Sequence, residues 1–305
     1  MIKSLNIMQK EEIPMLKKLQ NKYEKLTHDY VKEVCDKYDA DVYPKVRLAD
    51  VFEISGSGIS KDLYRYALMS HFDTIIFNSE QDPLFAVEFD GSTHIYSPEQ
   101  IERDQKKNEL CNRFELPLLR ITSDFLHKQY RGVNLLSWFI EVWFASEWFH
   151  ERQKKGKFAP DEPFMPMSFK TIPGKDEIFP LWLSRDVRGE VANLKAKGHV
   201  ESFCPTTLVC IDQFGDFHCL AWVVIENMKV VFTMNKLSGQ QFPAPMHELL
   251  EDITVVELVE KLENVLTNKE TFQTISQLNF VIKQYKEHYQ RFSGGGERHE
   301  LIGEW

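Results

Sequence analysis

No excess of positive charge marks this chain: 37 lysines and arginines stand against 46 aspartates and glutamates, a formal net charge of −9, and neither half is basic. That excludes a broad electrostatic footprint on nucleic acid, because non-specific affinity comes from basic residues displacing counterions from phosphates. Contact with DNA would have to run through a local groove or a partner protein. Long apolar runs are missing too. The longest, Leu135 to Phe149, is interrupted by Ser137, Glu141, Ser146 and Glu147 and is too short to cross a bilayer. Met1 to Gln20 carries none of the marks of a secretory leader, so the expectation is a cytoplasmic protein without a membrane partner. The five cysteines, Cys35, Cys111, Cys204, Cys210 and Cys219, form no Cys-x-x-Cys pair, which argues for reduced thiols over a disulfide framework. No internal repeat is visible.

What is there is a folded composition, 43% hydrophobic and 27% charged over 305 residues, enough for two domains. Apolar residues at Ile13, Leu16, Leu19, Tyr23, Leu26, Tyr30 and Val34 have helical spacing. Asp41 to Arg47 reads as a short strand, with Pro44 placing it near an edge, and Lys61 to Ser70 as a short helix. Phe72 to Phe77 and Leu84 to Phe89 predict a hairpin; Pro98 to about Phe114 a helix capped by Ser97; Leu118 to Ile121 a further strand. Asn134 to His150 is a helix dense in aromatics, expected between domains, with a partner surface or self-association as the other use. The expected division is a first domain over 1–150, a linker over 151–165, an α+β domain of unassigned role over 166–292 and a flexible tail over 293–305. The second half predicts a helix from Arg185 to Lys197 and a meander of Thr206 to Ile211, His218 to Ile225 and Val230 to Met234. Two closing helices then start at capping boxes, Thr254 with Glu257 and Thr267 with Glu270.

The chemistry concentrates between Phe72 and Ile121. Residues two apart on a strand share a face, so Glu88 and Asp90 point one way while Phe85, Val87 and Phe89 point the other. Asp73 lies on the neighbouring strand, and Asp104 and Lys107 share a stripe of the following helix. With His94 nearby, this collection is costly to bury unless a divalent cation or a reacting phosphate fills the gap. Each residue also has a plainer use: Asp90-Gly91 as a turn, His94 as a loop histidine, Asp104 with Lys107 as a surface ion pair. Cys204, Cys210, His218 and Cys219 lack the spacing of a zinc knuckle and read as buried thiols beside a strand histidine.

Asp73, then Glu88-Phe89-Asp90-Gly91-Ser92-Thr93-His94, then Arg103-Asp104-Gln105-Lys106-Lys107 and Leu118-Leu119-Arg120-Ile121 together resemble the PD-(D/E)XK nuclease superfamily. More narrowly, they are similar to the branch related to very-short-patch-repair endonucleases, which includes an uncharacterised bacterial domain family with an E-x-D-G-x-x-H motif. The resemblance covers about Tyr38 to Phe125. It implies an α/β fold with a mixed sheet flanked by helices, and a magnesium- or manganese-dependent endonuclease cutting DNA or, less often, RNA. By analogy alone it suggests an effector in bacterial restriction or antiviral (phage) defence; the rival is an inactive nuclease-fold scaffold that binds nucleic acid or protein. Carried over, Asp73 and Glu88 become the metal ligands, with the carbonyl of Phe89 as a third oxygen. The superfamily's lysine, two after the glutamate, is Asp90 here. In this branch His94 would orient or deprotonate water and Lys107 would supply the displaced cation, with Asp104 supporting. A further acid from the amino-terminal helix is left open among Glu24, Asp29 and Glu33.

Overall fold

The computed structural model describes residues 18–91, 98–175, 178–226 and 228–304. The chain is mixed α/β. Asn21 opens the first described helix, α1 (Lys22–Cys35), with a capping box: its side chain accepts from the Glu24 backbone amide while the Glu24 carboxylate accepts from its own. Then follow β1 (Asp41–Pro44), α2 (Leu48–Val51), α3 (Lys61–Met69), β2 (Thr74–Phe77), β3 (Pro83–Phe89), α4 (Pro98–Arg113), β4 (Leu118–Ile121), α5 (Ser123–His127), a two-residue pair β5 (Gln129–Tyr130) and β6 (Val133–Asn134), and the long α6 (Leu135–Lys154). The strands form a sheet ordered β1-β2-β3-β4, antiparallel except for the parallel pair β3–β4, whose crossover is α4. The hairpin, the helix and the closing strand stand where the pattern predicts; Ser97, the expected cap, lies outside the described residues, as does His94.

Alternation along β3 decides the rest. Phe85 and Val87 enter a core shared with α1 and α6, while Ala86 enters a second core on the opposite face with Phe72, Ile75, Leu110, Cys111 and Leu118. Glu88 therefore emerges on the side covered by α4. Helix α6 is not a free surface. Trp138, Phe139, Trp143 and Phe149 are all buried, so its role as a partner or self-association face is corrected: these rings are consumed inside the fold, between the first sheet and the second half. Phe158 and Phe164, in the segment expected to be a linker, pack against Phe149.

Helix α7 (Arg185–Ala196), strands β7 (Thr206–Ile211), β8 (Phe217–Glu226) and β9 (Lys229–Leu237), helix α8 (Met246–Leu266), β10 (Gln273–Thr274), α9 (Ile275–His288) and β11 (Gln290–Gly295) build the second half around an antiparallel sheet ordered β10-β9-β8-β7-β11. The meander falls where expected, but the capping boxes do not. Thr254 sits in the middle of α8 with its hydroxyl donating to the Leu250 carbonyl, and Thr267 closes α8. The capping box of α9 is Thr274 with Gln277. A buried apolar stripe carried α8 straight through a signal that is equally compatible with a helix interior. The three-glycine segment, expected to be loose, pairs with β7 as an edge strand. Gly294 and Gly296 have φ of 138° and 128°, and a Cβ on either would lie about 2.4–2.5 Å from Thr207 or Thr206, so glycine is what the close approach requires.

The two halves meet at the open edge of the first sheet. The Leu118 amide donates to the Gln241 carbonyl at 2.9 Å, and the Gln240 side chain makes both backbone hydrogen bonds of Arg120, at 2.9 and 3.1 Å. A segment of the second half thus covers β4, which would otherwise be an unpaired edge. Among the described residues no helix is long and apolar enough to cross a membrane.

Candidate functional site

Asp73 and Glu88 are locked to each other's strands. The Asp73 amide donates to Glu88 Oε1 at 3.1 Å, and the Phe89 amide donates to Asp73 Oδ2 at 3.1 Å. The remaining oxygens take one lysine each. Lys107 Nζ lies 2.6 Å from Glu88 Oε2 and also donates to the His71 carbonyl at 2.9 Å. Lys45 Nζ lies 2.6 Å from Asp73 Oδ1 and 3.1 Å from Glu24 Oε1. Glu24, Lys45, Asp73, Glu88, Phe89, Asp90, Asp104 and Lys107 all border one open cleft of about 750 Å3.

The predicted residues separate into three groups. Asp73, Glu88, Phe89 and Lys107 come together at the floor. Asp90 and Asp104 also line the cleft, but both are held by Arg120, whose Nη1 lies 3.0 Å from Asp90 and 3.3 Å from Asp104 while its other nitrogens donate to Asn108. Of the three acids on α1, Glu24 is brought in; Asp29 pairs with Lys25 on the surface and Glu33 is exposed. Elsewhere, His218 bonds Asp212 at 2.9 Å and stacks on Tyr289, while Cys210 and Cys219 are buried and Cys204 half-buried.

Two participants escape a reading of the sequence. Arg120 belongs to the quoted Leu-Leu-Arg-Ile segment, and only the parallel register that sets it beside Glu88 shows its use. Lys45 follows the proline that ends β1 and belongs to no motif. The signal for Glu24 was present, since Asn21-x-x-Glu24 is a capping-box pattern that fixes the carboxylate at the helix start.

Burial pushes the Glu88 carboxyl above its ordinary range, and Asp73 pushes the same way; Lys107 and Arg120 oppose without cancelling them. Burial pulls the Lys107 ammonium down, yet Glu88, Tyr66 and Asp73 hold it above its ordinary value. Asp90 is raised by burial, with Asp104 adding and Arg120 opposing. Around the floor, Glu24, Asp73 and Glu88 face Lys45 and Lys107, with Arg120 acting on Glu88 from the rim.

The donors suit a hard divalent cation in kind, being carboxylate oxygens with second lone pairs still unspent. Among the described residues, no three or more His, Cys, Asp or Glu side chains converge as a ready metal-holding group; the Lys45 ammonium stands between Asp73 and Glu24, and the Lys107 ammonium occupies Glu88. A family described as a protein of unknown function (DUF2726) matches residues 16–133, the stretch that contains the cleft. No curated protein and no solved structure matches the chain.

Proposed function

We propose that the cleft hydrolyses phosphodiester bonds, as a divalent-metal-dependent DNA endonuclease of the PD-(D/E)XK kind. The observation that carries this is the reciprocal lock between Asp73 and Glu88. Two carboxylates are fixed side by side at the end of the β2–β3 pair away from its turn, on the floor of an open cleft, each with one lysine as its ion-pair partner. Perturbed carboxylates clustered in a cleft favour a functional site. Asp73, Glu88 and the Phe89 carbonyl would hold the ion; bound Mg2+ or Mn2+ supplies Lewis-acid polarisation of the phosphate and a more acidic water. Lys107 keeps Glu88 in place, Arg120 keeps Asp90 and Asp104 from adding unpaired repulsion, and His94 is the candidate to orient the attacking water.

The test is plasmid nicking by the purified full chain with Mg2+ or Mn2+. Wild-type protein should relax supercoiled plasmid, while Asp73→Ala and Glu88→Ala should each lower the rate by roughly a hundredfold or more. Equal cutting by all three preparations would rule the cleft out. One feature favours a second reading, a nuclease-fold scaffold that binds without cutting: each oxygen of Asp73 and Glu88 already has a hydrogen-bond or ion-pair partner. Retained DNA binding with no cutting in either metal would select it. Restriction or phage defence is the setting that the family analogy suggests for either reading.

A further inference from the structure

We infer that Lys45 is the catalytic lysine of this cleft, the cation that touches the scissile phosphate, and that Lys107 is a positioning residue acting only through Glu88; this assignment rests on the phosphodiesterase reading above. The two ammonium groups differ in what they can still reach. The Lys107 side chain is 10% exposed, lies between the Glu88 carboxylate and the His71 carbonyl, and has the Phe72 ring beneath it at 5.7 Å. Removing it from those partners would leave Glu88 buried without its ion pair. The Lys45 side chain is 24% exposed at the cleft wall, and its two partners, Glu24 and Asp73, are themselves partly open. An anionic phosphate oxygen can replace either carboxylate on Lys45 without stranding a buried charge.

Backbone geometry points the same way. Lys45 has φ of 57°, a left-handed conformation that a long side chain adopts at a cost and that functional positions tend to retain. The strain is held by β1 pairing on one side, by the Lys45 amide donating to the Asp73 carbonyl at 3.2 Å, and by the ion pairs at the far end of the side chain. The motif's missing lysine, replaced by Asp90, is thereby supplied from the residue that follows β1. In the reaction a water oxygen bonds to phosphorus as that water's proton passes to solvent, and the bond to the leaving oxygen breaks with its electron pair staying on that oxygen, which takes up a proton from solvent. Lys45 forms and breaks no covalent bond; it offsets charge on a non-bridging oxygen. When a divalent ion is bound by Asp73, Lys45 is also the group that has to yield contact with that carboxylate.

Lys45→Met, Lys45→Arg and Lys107→Met, made in the full chain, separate the roles through nicking, Mn2+ affinity and thermal midpoint. Lys45→Met should lose nicking by roughly a hundredfold, keep its midpoint, and bind Mn2+ as tightly as wild type or more tightly, since a competing cation is gone; Lys45→Arg should recover part of the rate. Lys107→Met should instead lower the midpoint. Wild-type nicking by Lys45→Met overturns the assignment, as does a Lys107→Met protein that loses nicking with its midpoint and Mn2+ affinity intact. If wild type does not cut, the nuclease reading falls by itself. Binding of a short fluorescein-labelled duplex in Ca2+ then decides: about tenfold weakening in Lys45→Met upholds Lys45 as the phosphate contact, and unchanged binding rejects it.

Discussion

Glu88 in the first half and Asp252 in the second are both buried carboxylates, and both are pushed upward by burial, yet their surroundings differ in kind. Asp252, on α8, accepts from the Leu183 amide at 2.9 Å and from the Ser184 hydroxyl, with Arg188 nearby. Its partners are the turn that leads into α7, so it ties two elements together and borders no described cleft. Glu88 has an ammonium and a strand amide as partners, a second carboxylate beside it and an opening of about 750 Å3 in front. Burial and a raised carboxyl do not by themselves mark a site. A second like charge and an aperture are what set Glu88 apart from Asp252.

The largest effect that would break this contrast comes from the Glu88 pair. Lys107→Met leaves a buried carboxylate without its cation and should cost about 3–5 kcal/mol in urea denaturation. If the pair is functional rather than structural, Lys107→Met with Glu88→Leu should regain most of that loss while remaining inactive in nicking. A double variant as unstable as the single one would mean that Glu88 and Lys107 serve chiefly to brace β3 against α4, as Asp252 braces α7 against α8.

Asp252 provides the next effect, with a definite sign. Its folded value of about 6 lies above the ordinary 3.8, so the native state holds the proton more tightly than the unfolded chain. The stabilisation is full below about pH 4 and is lost as pH rises through about 6, a change of about 3 kcal/mol. Denaturation of wild type and Asp252→Asn across that window should show the wild type losing stability relative to the variant as pH increases. Parallel curves would show that the Ser184 and Leu183 hydrogen bonds already cancel the cost of burial.

The same contrast explains what could be read in advance. Strand positions were legible because β2, β3, β7, β8 and β9 are short apolar or alternating runs between turn signals, and alternation alone put Glu88 opposite Val87. Local cues failed where tertiary packing outweighed them. The Thr254 box was overridden by the buried stripe of α8, Thr267 ends that helix instead of starting another, and Gly294 and Gly296 answer to a close approach by Thr207 and Thr206 that no local pattern encodes. In the cleft, the residues on contiguous motifs could be named, but their partners could not. Arg120 takes Asp90 and Asp104 through a parallel register, and Lys45 reaches Asp73 from just past β1, 28 positions earlier. The separation of the acids into a floor and an Arg120-bound rim is a property of pairing between distant segments.

The smallest effect tests whether the two regions are coupled at all. Gln240 replaces a neighbouring strand for Arg120, accepting from its amide and donating to its carbonyl. Gln240→Ala should therefore cost only about 1–2 kcal/mol of stability, the worth of two such bonds with water able to reach the edge. Its effect on nicking should exceed that, because the backbone it fixes carries the guanidinium that balances Asp90 and Asp104 at the cleft rim. Gln240→Glu keeps an acceptor for the Arg120 amide but loses the donor for its carbonyl, and should fall between wild type and alanine. If both variants nick at the wild-type rate, the second half covers the sheet edge without tuning the cleft, and the contrast between a structural region and a chemical one holds without any link between them.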